Sequence, residues 1–309
     1  MPYVTVNGVK LFHTDTGAGT PVLFLHGWGT SGRVWDAQVA DLAADHRVIT
    51  MDWRGCGRSE HPPTGNTTRA NVEDILALIE HLGLQQPLLV GSSLGATFAL
   101  ETALRAPEHV AGVVSISGPG HWPSQGMASA LHSLISSLAA DRAATVADWV
   151  PKWFGPTAPV ELVRQTVRQI LESGHFIDEL FTEAMSHDPR EALTGIAVPV
   201  DYLHGRYDTE IPLEVSRTLA ALTPYSTFHV IEQAGHMAHQ EQPAAVNTLI
   251  RAALERFADD PFPRSATGSP SVSPVVQGRP ACLEQVWSLA GSLPVARYWL
   301  TLLSTQAFS

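Results

Sequence analysis

The sequence predicts an α/β protein in which helices cover both faces of a mostly parallel β-sheet. Short apolar runs such as Val22-Leu23-Phe24-Leu25 have the composition of strands buried on both faces. They alternate with stretches of helical period, such as Asn71 to Leu82, where apolar residues recur every three or four positions. The motif Gly91-Ser92-Ser93-Leu94-Gly95 joins one such strand to one such helix. This alternation is typical of parallel strands linked by helical crossovers.

The predicted elements follow a regular order along the first half of the chain. Asn7-Gly8 predicts the turn of an opening hairpin, because these residues tolerate the backbone angles of a two-residue turn. The elements of this half are strands 3–7, 9–16 and 22–25, helix 31–44, strand 48–51, helix 71–82, strand 87–90, helix 96–105 and strand 110–117. Two more strands, 198–203 and 226–231, bring the predicted sheet to eight strands.

The alternation stops between about 119 and 195, where helices are predicted near 127–139, 143–153, 159–172 and 176–187. Residues 259–309 differ again, since a stretch rich in Pro, Ser and Gly indicates a flexible linker. The apolar segment beyond it is too short to span a bilayer. We therefore expect one domain over 1–258 with an insertion at about 119–195, followed by a C-terminal extension of unknown role.

The strand–turn–helix motif at 91–95 predicts a nucleophile elbow with Ser93 at its apex. Such a turn lifts the serine hydroxyl clear of the sheet. The flanking Gly91 and Gly95 fit positions where a side chain would collide with the closely packed strand and helix. The helix that follows points its N-terminus at the serine, which favours a developing negative charge. Ser92 is adjacent but lies off the apex.

A serine hydroxyl needs a base to become a nucleophile, and the base needs an orienting acid. In an elbow protein these follow in the order Ser, Asp or Glu, His. Asp208 lies in the loop after the predicted strand 198–203, and His236 lies in the loop after strand 226–231. Asp201 and His239 are the nearest rivals, but Asp201 falls within a predicted strand. The sequence therefore predicts a triad of Ser93, Asp208 and His236.

Five blocks of sequence resemble those of a known superfamily. The blocks are His26-Gly27-Trp28-Gly29, Asp52-Trp53-Arg54-Gly55-Cys56-Gly57-Arg58-Ser59, Gly91 to Gly95, His204-Gly205-Arg206-Tyr207-Asp208, and Ala234-Gly235-His236 with Glu241-Gln242-Pro243. In order and spacing they resemble the α/β-hydrolase superfamily, in particular its small serine esterase, enol-lactonase and non-haem haloperoxidase group. The resemblance implies an α/β-hydrolase fold in which the insertion is a helical lid. It ends before the C-terminal extension.

The resemblance also assigns roles around Ser93. One oxyanion-hole N–H is expected from Leu94, the residue after the nucleophile, and the other, by resemblance, from Trp28. His26 is expected to support this loop structurally, and the 52–59 loop is expected to be mainly structural. Four aromatic residues are expected to line the substrate pocket: Trp28, Trp122, Trp153 and Phe154. Some relatives carry the acid after the preceding strand, but here that strand ends Ser115-Ile116-Ser117-Gly118 without a carboxylate.

The expected activity is hydrolysis of a carboxylic ester, thioester or lactone through an acyl-enzyme. Carbon–carbon bond hydrolysis and haloperoxidase or perhydrolase activity are alternatives on the same triad. In the family that the chain resembles, haloperoxidase or perhydrolase activity tends to go with a proline two residues after the His-Gly pair of the oxyanion loop. This chain has Gly29 there, which favours hydrolysis over that alternative. A ligand-binding protein of the same fold is the alternative outside enzymes, because a fold does not fix a function.

Composition narrows the partners. The net charge is −11 over 309 residues and no basic stripe is present, so nucleic acid is not an expected partner. The first residues lack the charged and apolar regions of a secretory signal, and two cysteines do not make a disulfide framework. We therefore expect a cytoplasmic protein without a membrane span. It is expected to act on a small ester or lactone with neither metal nor organic cofactor, and its oligomeric state is open.

Overall fold

The computed structural model describes residues 2–121 and 125–259 of the chain. Its strands confirm the predicted class and the strand number, since eight strands form one sheet. They are β1 Tyr3–Val6, β2 Val9–Thr16, β3 Thr20–Leu25, β4 His46–Asp52, β5 Leu88–Ser92, β6 Gly112–Ile116, β7 Val200–Gly205 and β8 Ser226–Ile231.

The sheet has the order β1-β2-β4-β3-β5-β6-β7-β8. The two pairs that involve β2 are antiparallel, and every other neighbouring pair is parallel. Strands β3, β5, β7 and β8 therefore all end at the same edge. In open parallel sheets, ligands bind at this carboxyl edge, where the loops after the strands come together. The loops that carry Trp28, Ser93, Asp208 and His236 all begin there.

Helices cover both faces of the sheet. They are α1 Asp36–Leu42, α2 Thr68–His81, α3 Leu94–Arg105, α4 Gln125–Ala140, α5 Arg142–Trp149, α6 Val160–Glu172, α7 Leu180–Ser186, α8 Arg190–Leu193, α9 Leu213–Leu222, α10 Ala238–Glu241 and α11 Pro243–Asp259. Helix α1 packs beside α11, and α2 packs beside α3. None of the described helices is long and apolar enough to cross a lipid bilayer.

The core lies between the sheet and its helices, where the strands are apolar on both faces. Residues Val22 to Leu25 of β3 are fully buried, as the continuous apolar run predicts for a central parallel strand. The largest fully buried side chains include Trp35, Trp53, Phe24 and Phe98. Phe24 of β3 packs on Trp35, and Phe98 of α3 packs edge-on against Trp53, so aromatic pairs fill the core beside the central strands.

The interval between β6 and β7 contains helices α4 to α8, in agreement with the helical segment predicted there. The predicted helix 143–153 is wrong at its end, because α5 stops at Trp149 and a 3₁₀ turn, Val150–Trp153, follows. Pro151 explains the difference, since proline has no N–H to continue the helix. That this insertion acts as a lid stays a prediction. The extension from 260 onwards and Trp122 lie outside the described residues.

Candidate active site

Ser93 occupies a strained turn between β5 and α3. Its φ is 54° and its ψ is −124°, a backbone conformation that residues with side chains rarely adopt. The neighbouring glycines explain how the turn can close. A Cβ on Gly95 would lie 2.5 Å from the carbonyl oxygen of His26, and one on Gly91 would lie 2.5 Å from the carbonyl carbon of Gly95. The predicted elbow is therefore present, with Ser93 at its apex.

Asp208 and His236 meet at the carboxyl edge of the sheet. Nδ1 of His236 lies 2.8 Å from Oδ2 of Asp208, and because a carboxylate only accepts, Nδ1 carries the proton. The other ring nitrogen, Nε2, has no hydrogen-bond partner among the described residues. An imidazole with Nδ1 protonated can accept a proton at Nε2, as a general base must. The structure thus brings together the predicted acid and the predicted base.

The Asp208 carboxylate is fully buried and fully engaged. Its Oδ1 accepts hydrogen bonds from the backbone N–H groups of Glu210 and Ile211, at 2.9 and 3.0 Å. Its Oδ2 also lies 3.3 Å from Nε2 of the buried His204, a contact that the sequence motif did not reveal. Burial disfavours the charged form, but His236 and His204 outweigh it and hold the pKa of Asp208 well below its usual range. Asp208 is therefore a permanent anion behind His236.

The pKa of His236 lies above its usual value. Burial opposes the charged imidazolium, but Asp208, Glu210 and Glu241 stabilise it more strongly. The loop that carries His236 is itself fixed, since its N–H donates to the carbonyl of Trp153 at 2.6 Å. An imidazole that is stabilised as imidazolium is suited to take a proton from a nearby hydroxyl.

Glu210 is a carboxyl group near His236 that sequence reasoning missed. It lies two residues after Asp208, and Nε1 of Trp149 donates to its Oε2 at 2.6 Å. Burial and the Asp208 charge raise the pKa of Glu210 to about 7, although His236 opposes the shift. The spacing Asp208-x-Glu210 is the one signal in the sequence that could have pointed to it.

The loop after β3 lies directly against Ser93. A Cβ on Gly27 would be 3.2 Å from the Cβ of Ser93, so a side chain there would require a shift of a few tenths of an ångström. The backbone N–H groups of Trp28 and Leu94 donate no hydrogen bond to any described residue. Leu94 also begins α3, whose dipole adds positive potential at this point. The Trp28 and Leu94 amides thus have no hydrogen-bond partner among the described residues, and their role as an oxyanion hole stays a prediction.

Aromatic rings cover the site from the side of the insertion. The Trp28 ring contacts Trp149, Trp153 and Phe181 at centroid distances of 5.6, 6.4 and 5.0 Å. Trp153 also meets the His236 ring edge-on at 5.8 Å, whereas Phe154 makes no ring contact with this group in the described chain. Trp149 and Phe181 are thus ring partners of Trp28 that the sequence analysis did not name, and the lining of the substrate pocket stays a prediction.

A narrow cleft opens beside Leu94. Its lining comes from α2, α3, the loop after β6 and α7, and comprises Thr68, Leu94, Thr97, Pro119, Gly120, His121, Leu180, Ala184 and His187. Thr68 and His187 also line an adjoining surface cavity of about 430 Å³ with a charged rim. Within the ranges 2–121 and 125–259, no group of three or more His, Cys, Asp or Glu side chains is arranged to hold a metal ion.

The rival acid and base have other contacts. Asp201 accepts from Thr227 Oγ1 at 2.6 Å and forms an ion pair with Arg256, so its carboxylate is engaged on β7. His239 is buried against Trp35, and burial lowers its pKa to about 3. A histidine that stays neutral and buried cannot exchange protons with a bound substrate.

Two further residues of the motifs have structural surroundings. His26 stacks on Trp53 at 5.0 Å and accepts from its backbone N–H at 3.3 Å, and burial lowers the pKa of His26 to about 4. Cys56 is buried, and both burial and Asp52 raise the pKa of its thiol. Since the thiolate is the reactive form, a raised pKa keeps Cys56 as an unreactive thiol.

Comparison with known proteins identifies the family of this chain. The alpha/beta hydrolase family matches the chain over residues 22–249, which include Trp28, Ser93, Asp208 and His236. The chain belongs to the alpha/beta hydrolase family. Its relatives include enzymes named for the hydrolysis of esters, which supports a hydrolase.

This α/β hydrolase is 28% identical over 256 residues to the AB hydrolase superfamily protein YisY of Bacillus subtilis, with 80% of this chain and 96% of the relative covered. It is 27% identical over 237 residues to the pimeloyl-(acyl-carrier protein) methyl ester esterase of Aliivibrio salmonicida, covering 74% and 89%. Among solved structures, a thermophilic esterase from Thermogutta terrifontis superposes with a TM-score of 0.76 at 26% identity, covering 82% of this chain and 98% of the esterase.

Proposed function

We propose that this α/β hydrolase cleaves a carboxylic ester, thioester or lactone through a covalent acyl-enzyme on Ser93. Ser93 is the nucleophile, His236 the general base and acid, and Asp208 the orienting anion. The amides of Trp28 and Leu94 form the oxyanion hole. The substrate is a small molecule, and its apolar part lies against the rings of Trp28 and Trp153.

One observation carries the proposal. The bond from Nδ1 of His236 to Oδ2 of Asp208, at 2.8 Å, leaves Nε2 as the basic nitrogen of the ring, and Nε2 has no hydrogen-bond partner among the described residues. This tautomer is the one that can take the proton of a serine hydroxyl. The strained backbone of Ser93 supports its assignment, because strain of this kind persists where the surrounding structure enforces it, and such sites are commonly functional.

The reaction proceeds in two balanced halves. Ser93 Oγ attacks the substrate carbonyl carbon while its proton passes to Nε2 of His236, and the carbonyl oxygen becomes an anion held by two N–H groups. The tetrahedral species collapses, and the same proton goes to the leaving alcohol, thiol or lactone oxygen. Water then attacks the acyl-enzyme by the same route, which releases the carboxylic acid and restores Ser93.

Each group has a physical contribution to this reaction. Asp208 stabilises the His236 imidazolium that exists between the two proton transfers. The N–H pair stabilises the oxyanion, and loss of one such donor costs about 10²–10³ in rate in enzymes of this type. The rings around Trp28 exclude water, so that these charge interactions act in a medium of low polarity.

The proposal is tested with p-nitrophenyl esters of increasing acyl length, with thioester and lactone substrates beside them. Ser93→Ala is compared with the matched control Ser92→Ala, which removes a buried hydroxyl without a hydrogen-bond partner. We expect Ser93→Ala to abolish turnover and Ser92→Ala to retain it. Equal turnover in the wild type and Ser93→Ala would exclude the serine mechanism. Saturable binding without turnover on any substrate would indicate a ligand-binding protein instead.

A further inference from the structure

The indole of Trp28 is tied to the helical insertion by a polar contact. Its Nε1–H donates to Oδ1 of Asp178 at 3.1 Å, across 150 positions of sequence. Asp178 lies in the 3₁₀ turn His175–Glu179, between α6 and α7. Trp28 is only 3% exposed, and the Asp178 side chain is 17% exposed, so this hydrogen bond is partly buried. A buried indole N–H normally requires such a partner.

Arg142 completes the contact from a second part of the insertion. Its guanidinium lies 3.3 Å from Asp178 Oδ2 and 5.1 Å from the centre of the Trp28 ring. The same guanidinium is also held by the insertion, because Nη1 donates to the Ile170 carbonyl at 2.8 Å and Nη2 donates to Ser173 Oγ at 3.1 Å. One cation therefore neutralises the Asp178 carboxylate and also packs on the face of the indole.

The backbone next to Trp28 is confined by the same insertion. A Cβ on Gly29 would lie 3.1 Å from the side chain of Ile170, so α6 packs directly on the loop. Gly29 has a φ of 69°, which a glycine adopts without strain. Asp178 and Arg142 thus contact the side chain of Trp28, and Ile170 confines the following residue, Gly29.

We propose that Asp178 and Arg142 are positioning residues that hold the Trp28 amide in register with Ser93, so that the helical insertion completes the oxyanion hole. This inference rests on the proposed function. The pair touches neither substrate nor reacting atoms and acts through the Trp28 indole. Because an oxyanion hole must hold its donors close to the developing charge, a shift of about 1 Å can cost up to about a hundredfold in rate.

The contact itself is tested without reference to activity. The ¹H–¹⁵N spectrum resolves indole N–H signals, and Trp28→Phe identifies that of Trp28. We expect this signal to move strongly in Asp178→Ala. It should move less in Asp178→Asn, which keeps an oxygen acceptor but loses the charge. An unchanged Trp28 signal in Asp178→Ala would overturn the inference, because the hydrogen bond would then be absent in solution.

The catalytic consequence is tested by kinetics on the same variants. We expect Asp178→Ala to lower kcat about ten- to a hundredfold with little change in KM, with partial rescue in Asp178→Asn. Trp28→Phe combined with Asp178→Ala should be no slower than the slower single variant, because the two changes remove one shared contact. The matched control is Asp15→Ala. It breaks another Asp–Arg ion pair, the one between Asp15 of β2 and Arg47. It should leave kcat unchanged.

Labelling of Ser93 by a fluorophosphonate separates the two proposals, since it needs the oxyanion hole but no particular substrate. If the wild type is not labelled, the proposed serine mechanism fails. If the wild type is labelled and Asp178→Ala reacts at the same rate with an unchanged kcat, the contact is merely structural and this inference fails. Slower labelling of Asp178→Ala with an unchanged melting temperature supports it.

Discussion

The Asp208 carboxylate accepts a hydrogen bond from Nδ1 of His236 at 2.8 Å while its second oxygen accepts two backbone N–H groups. Both oxygens of Asp208 thus accept hydrogen bonds from N–H groups, and the side chain has no exposed surface. This arrangement requires an anion. It also defines the His236 tautomer, because a ring that donates from Nδ1 presents Nε2 as its acceptor.

Replacement of Asp208 by Asn should therefore remove most of the activity. The backbone donors of Glu210 and Ile211 would retain the side-chain oxygen, which leaves the amide NH₂ to face His236. His236 would then accept at Nδ1 and carry its proton on Nε2, the wrong tautomer for a base. We expect kcat to fall by about 10⁴, as in the type case of this triad. Steady-state ester hydrolysis measures it, and a loss of less than tenfold would contradict the assignment of Asp208.

Glu210→Gln should move the acid limb of the pH–rate profile to lower pH. His236 must be neutral to act as a base, so activity rises with pH as His236 loses its proton. Three carboxylates face it, those of Asp208, Glu210 and Glu241, and each raises the pKa of His236. Removal of the Glu210 charge lowers that pKa, while Gln still accepts from the Trp149 indole. The profile of kcat/KM against pH checks this, and a limb that moves upward would exclude the electrostatic role.

The same variant should change how stability depends on pH. An acid whose pKa is raised by folding stabilises the protein below its unfolded value, and this stability is lost as pH rises through the folded value. For Glu210 the window runs from about 4.5 to about 7. The melting temperature of Glu210→Gln, relative to the wild type, should therefore rise across that window. Thermal melts at fixed ionic strength give the difference, and a difference that is flat with pH would show that Glu210 titrates normally.

Much of the fold was predictable because its signals are local. The buried strands are runs of apolar residues, and the elbow is a five-residue pattern between a strand and a helix. Both can therefore be recognised from a few consecutive residues. Asp208 and His236 were also predictable, because each follows a strand of the parallel sheet. The predicted end of α5 is wrong, although Pro151 indicates that the helix stops before it.

The remaining contacts depend on distant pairs that no window contains. Trp28 and Asp178 lie 150 positions apart, and Trp149 and Glu210 lie 61 apart. Each joins the sheet edge to the insertion, and their pairing depends on how the insertion packs in three dimensions. An aspartate in a turn and a tryptophan near a helix end have no pattern of their own, so the sequence cannot show that they meet.

The close packing at the elbow yields a stability prediction. Gly95→Ala should destabilise the protein by about 1–3 kcal/mol or more, because the new Cβ would lie 2.5 Å from the His26 carbonyl oxygen and closer still to that of Leu25. Helix propensity alone predicts the opposite sign, since alanine favours a helix over glycine by about 1 kcal/mol. Gly195→Ala is the matched control, with its nearest atom at 3.7 Å. Urea unfolding of both variants measures the contrast, and an equally stable Gly95→Ala would show that β3 and α3 are not in contact here.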